Sequence, residues 1–133
     1  EDIDSTLTTA IIGVQHHIYT VLSVIVLCDA LQAVSNKFYM HLLGWDAKAG
    51  ASQERHTLWC QDFAGINQTA VWNDKFSFTG VEPTGVSGTL STVAEQDALA
   101  DQGGSATQNL EFAATHADDS FEVVLTYIDQ NNA

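Results

Sequence analysis

Basic residues are nearly missing from this chain: Lys37, Lys48, Arg55 and Lys75 face 17 aspartates and glutamates, for a formal net charge of −13. Such a field repels phosphate backbones and anionic headgroups, which excludes nucleic acid and charged lipid surfaces as natural partners. It favours solubility and a salty medium that screens the self-repulsion. Proline occurs once, at Pro83. No catalytic, metal, phosphate or nucleic-acid motif stands out, and no internal repeat or low-complexity tract divides the chain. No cofactor is expected, and enzymatic activity less than a structural role.

Cysteine is scarce too. Cys28 and Cys60 form the candidate disulfide, which would close a loop of roughly 30 residues and stabilise by about 3 to 4 kcal/mol. The alternative is two buried thiols acting as small hydrophobes. Asn67, Gln68 and Thr69 match the acceptor pattern for N-glycosylation at Asn67. The chain begins with Glu1 and not Met, which with its lysine scarcity leads us to expect an extracellular, cell-surface or virion location.

What is present in quantity is apolar residues, 45% of the 133, enough for one domain over residues 1–133. They concentrate in "AIIGVQHHIYTVLSVIVLC", residues 10–28. Nineteen residues exceed an ordinary strand, and no Gly-Pro or Asn-Gly pair divides them into a hairpin. Leu7, Ile11, Val14, Ile18, Val21, Ile25 and Cys28 recur at alternating spacings of four and three, the seam of a helix that packs on a helix. Asp4 or Ser5 supplies an N-cap, and Gly44 a stop. The spacing therefore predicts a helical segment over residues 1–43, as one rod or as two helices broken near 35–37. The same residues argue against a membrane span, because Gln15, His16 and His17 fall where the bilayer centre would lie.

Beyond Gly44 the period shortens to two. Leu110, Phe112 and Ala114 alternate, as do Phe121, Val123, Leu125 and Tyr127, with "HADDS" between them as a hairpin loop. Residues 44–133 are expected to form an antiparallel sheet of about four or five strands. The expected class is α+β, elements segregated along the chain.

Candidate chemistry is sparse. His16 and His17 are about 100° apart on a helix and do not chelate one ion from one face. His56, Cys60 and Asp62 share a face if their segment is a regular strand, an arrangement open to a thiol nucleophile but more often structural. Asp97, Asp101, Asp118 and Asp119 lack the order of a calcium loop, which favours a solvated acidic surface. Trp45, Trp59 and Trp72 offer stacking platforms for sugars, although core packing is the default.

A helix with more apolar surface than a small sheet covers must find partners. The expectation is a non-enzymatic, self-assembling structural subunit of an extracellular filament or virus-like particle, its partners copies of itself. The layout is similar to that of pilin-like filament subunits, from which "EDIDST" and the internal Gln15, His16 and His17 depart. The second expectation is a compact secreted α+β binding domain or small hydrolase with a pocket between helix and sheet.

Overall fold

A computed structural model describes residues 2–45, 53–81, 92–93 and 107–131. Their strands are β1 (Thr8–Ile12), β2 (His17–Ala30), β3 (Lys37–Trp45), β4 (Gln53–Asp62), β5 (Thr69–Trp72), β6 (Phe76–Thr79), β7 (Asn109–Ala114) and β8 (Ser120–Asn131). Every ladder is antiparallel. One sheet runs β1-β7-β3-β4. In the other, β2 lies between β8 on one side and β5 and β6, end to end, on the other.

The pairing is nested. Ile3 bridges Phe121 of β8, β1 pairs β7, β2 pairs β5 and β6, and β3 pairs β4. The chain is thus one long hairpin folded over, with alternate pairs falling in opposite sheets. That is the connectivity of a jelly roll. Its outermost pair is described at Ile3, whose N–H donates to the Phe121 carbonyl at 2.9 Å and whose carbonyl accepts from Phe121 at 3.1 Å. Asp4 already belongs to the other sheet, its carbonyl accepting the Ala114 N–H at 2.7 Å.

The core fills the space between the sheets. Val21, Val24, Val26, Cys28 and Phe121 of one sheet meet Phe38, Met40, Leu110 and Phe112 of the other. Phe38 stands edge-on to Phe121 with centroids 5.7 Å apart, and Trp59 reaches Trp72 across the sandwich at 5.7 Å. Burial of this kind contributes roughly 1.5 to 3 kcal/mol per large side chain.

The expected N-terminal helix is absent: the described residues contain no helix, and the class is all-β, not α+β. The coiled-coil-like seam goes with it. The reason lies in β2. Tyr19 and Val21 face the core at odd positions, and then Leu22 bulges, so that Val24, Val26 and Cys28 face it at even ones. The bulge inserts a spacing of three into a period of two and imitates a helix. The outward residues Ile18, Ile25 and Leu27 are apolar as well, which hides the alternation. The seam residues scatter accordingly. Ile11, Val21 and Cys28 are buried, Ile18 is half-buried, and Leu7, Val14 and Ile25 are exposed.

Two smaller expectations also change. "HADDS" is not a hairpin loop, because β7 and β8 lie in different sheets and residues 115–119 cross between them. The polar, small-residue stretch "GWDAKAGASQERHT" has the composition of a connecting loop, yet its last five residues, "QERHT", belong to β4. Pro83, Asp97 and Asp101 lie outside the described residues. No helix of the described residues is long and apolar enough to cross a membrane.

Candidate assembly surface

The two sheets present very different faces to solvent. On the outer face of β1-β7-β3-β4, polar side chains engage one another. Glu111 is buried (5% exposed) and accepts from Arg55 Nε at 2.7 Å, while Thr57 Oγ1 and His41 Nδ1 lie 3.1 Å apart. Burial, then the Arg55 charge, holds the His41 imidazole below its ordinary value. A base that resists protonation when folded adds stability that is present above about pH 6.5 and declines as pH falls below it. His41→Gln is therefore expected to flatten the acid side of a pH–melting curve below about pH 6.5, a difference that parallel thermal scans of the two proteins would reveal.

The outer face of β2 and its neighbours is the reverse. The register sets Val71 of β5, Ile25 of β2 and Val124 of β8 side by side across three strands. They are 57%, 39% and 60% exposed, and Ile128 further along β8 is 52% exposed. Around them lie Thr20, Ser77, Thr126 and Gln130, with Thr20 and Ser77 joined through their hydroxyls at 2.8 Å. Among the described strand residues of this face, charge is confined to Glu122 of β8 and to Asp29 at the bulge near the end of β2. In a chain of charge −13, a sheet face so bare of charge and so rich in exposed β-branched residues has the composition of a contact surface.

The residues singled out as chemistry disperse. The bulge of β4 at Leu58 sets His56 opposite Leu42, a core-facing position, and Cys60 opposite Tyr39 on the outer side. Cys28 is buried and Cys60 exposed, on different sheets, and both are free thiols. Burial, aided by Asp119 and Asp29, pushes the Cys28 thiol up. A maleimide is thus expected to label the native protein once, at Cys60, and a second time only in denaturant; mass spectrometry of the native adduct checks it. His16 has a φ of 66° in the turn before β2, and His17 Nδ1 lies 2.6 Å from Asp129. Asn67 is exposed between β4 and β5 with a φ of 62°. Among the described residues no group of three or more His, Cys, Asp or Glu side chains is placed to hold a metal.

Asp118 is solvated but Asp119 is not. Its carboxylate is 2% exposed and ties residues 32–36 to the β7–β8 crossing, accepting from Gln32 N, Asn36 Nδ2 and His116 N at 2.9 Å each. No reading of the acidic cluster from sequence separates these two neighbours. Their difference is one of tertiary contact.

No family model, curated protein or solved structure matches this chain. The fold and the faces described above carry the functional argument alone.

Proposed function

We propose that this protein is a non-enzymatic structural subunit that assembles with copies of itself into a filament or particle, in an extracellular or virion setting. The observation that carries the reading is the uncharged row Val71, Ile25 and Val124, exposed on a chain of charge −13. Burying exposed aliphatic surface favours association by about 25 cal/mol per Å², and like-charged bodies meet most cheaply where neither carries charge. Jelly rolls serve capsid shells, lectins and cupins alike, so the fold by itself selects no activity. The alternative with a pocket between helix and sheet loses its helical wall.

Sedimentation across a sodium chloride series at neutral pH tests the reading. Association is expected to strengthen as salt shortens the Debye length from about 30 Å at 0.01 M to about 8 Å at 0.15 M. Ile25→Asp is expected to keep the fold, since this side chain projects outward, and to weaken association by placing a carboxylate in the row. A protein that stays monomeric at every salt and concentration tried has no such function.

A further inference from the structure

Among Asn36, Asn67, Asn73, Asn109 and Asn131, only Asn67 has Ser or Thr two residues on with no proline between, as Asn67-Gln68-Thr69. The fold uses two of the others internally. Asn36 is 6% exposed and donates from Nδ2 to Asp119 Oδ1 at 2.9 Å, while Asn109 Oδ1 accepts the Gly13 N–H at 3.1 Å. Asn67 is placed differently. It lies in the turn between β4 and β5, where Ile66, Asn67, Gln68 and Thr69 are all exposed. The backbone of this turn is fixed to the end of β2. Asn67 N–H donates to the Cys28 carbonyl at 2.7 Å, and the Gln68 carbonyl accepts from Cys28 N–H at 2.9 Å. Ala64 N–H donates to Gln68 Oε1 at 3.0 Å and closes the turn. The φ of 62° at Asn67 is one that asparagine tolerates better than most residues. Backbone and Gln68 hold the turn, and the side-chain amide of Asn67 takes no part in these bonds.

We propose that Asn67 carries an N-linked glycan. The inference rests on the extracellular or virion setting proposed above, which brings the chain before the transfer enzyme of a secretory membrane. The donor class is an oligosaccharide linked to a lipid through pyrophosphate. Asn67 Nδ2 forms a bond to C1 of the first sugar, and the C1–O bond to the pyrophosphate breaks. The lipid pyrophosphate leaves with the bonding pair, and Nδ2 gives up a proton. The Thr69 hydroxyl is the second recognition element of the acceptor. A glycan is bulky and hydrophilic, and its carrier side chain must face water, as that of Asn67 does. The neighbouring surface gives it something to cover. Ile66 beside it is 56% exposed, and Val34 in the turn after β2 is 72% exposed. A neutral glycan shields such groups without adding to a charge of −13. The row of Val71, Ile25 and Val124 starts four residues beyond Asn67, so the glycan borders the contact face without lying in it.

The test is expression of the full chain behind a cleavable signal peptide in a eukaryotic secretory host. Mass spectrometry is expected to find a glycan on most chains, mapped to Asn67 and removed by peptide-N-glycosidase with conversion of that residue to aspartate. Asn67→Gln and Thr69→Ala are each expected to abolish it, and Thr69→Ser to keep it. Transfer takes place in the lumen, so chain retained in the cell is read in the same way as secreted chain. The glycosylated protein is expected to share the circular dichroism spectrum of Asn67→Gln, as an amide that faces water requires. A wild type unmodified at Asn67, or one modified only in misfolded chain, overturns the proposal whatever its state of association. A glycosylated protein that stays monomeric at every salt concentration overturns the self-assembly reading and leaves the glycan standing.

Discussion

Alanine at Gly80 is expected to abolish the folded state or to remove more than about 4 kcal/mol, most of the stability of a domain this size. A Cβ at Gly80 would overlap the Val14 carbonyl oxygen and crowd its nitrogen and carbonyl carbon. A Cβ at Gly13 would overlap the carbonyl oxygens of Gly80 and Gln108. These are backbone atoms held from several sides. Gly80 N–H donates to the His17 carbonyl at 2.8 Å, its own carbonyl accepts from Gln108 at 3.0 Å, and Gly13 N–H donates to Asn109 Oδ1 at 3.1 Å. The two glycines let three segments cross where the chain passes between sheets, and no side-chain motion relieves the overlap. Gly65, with open space around its Cβ position, is the control: Gly65→Ala should melt like the wild type. If Gly80→Ala melted within a few degrees of wild type, the crossing would be looser than described.

Removing the carboxylate of Asp119 should come next in effect. Asp119→Ala leaves Gln32 N, Asn36 Nδ2 and His116 N without their acceptor in a site that is 2% exposed. Bonds to a charged group contribute about 1.5 to 3 kcal/mol each, and they act as a unit. The expected loss is about 3 kcal/mol or more, about 10 °C in melting temperature. Asp119→Asn keeps a carbonyl for Gln32 and Asn36, both bound to one oxygen, and forfeits the bond from His116. It should fall between the two. Asp118→Ala, at an 80% exposed side chain, should change the melting temperature little. Equal effects at the two neighbours would show that the tie between the 32–36 segment and the β7–β8 crossing is not a source of stability.

Period-two alternation was a sound guide at β7, although Glu111 and Ala113 on its other face are buried as well, and at the start of β8. Leu110, Phe112 and Ala114 of β7 are buried as their alternation requires, and Phe121 leads β8 inward with Glu122 outward. It failed at β2, the central strand of its sheet. There a bulge shifts the parity of the buried set, and the outward side chains are apolar in their own right. Apolar residues on both faces, with one spacing of three, satisfy a helical template as well as a strand. The break at residues 73–75 leaves Trp72, Phe76 and Phe78 on the inner side and Val71 and Ser77 on the outer.

The sequence alone determined the quantities that do not depend on arrangement: a charge of −13, an apolar content sufficient for a core, and the period-two strands near the C-terminus. It also marked residues 10–28 as richer in apolar surface than one buried face requires. Whether that surplus lay on a helix or on the outside of a sheet was decided by pairing between distant segments. β2 meets β5, β6 and β8, 42 to 114 residues away in sequence, and no local signal encodes those partners. Backbone hydrogen bonds between strands depend on which segments lie adjacent and hardly on side-chain identity, so the pairing of β2 is a property of topology.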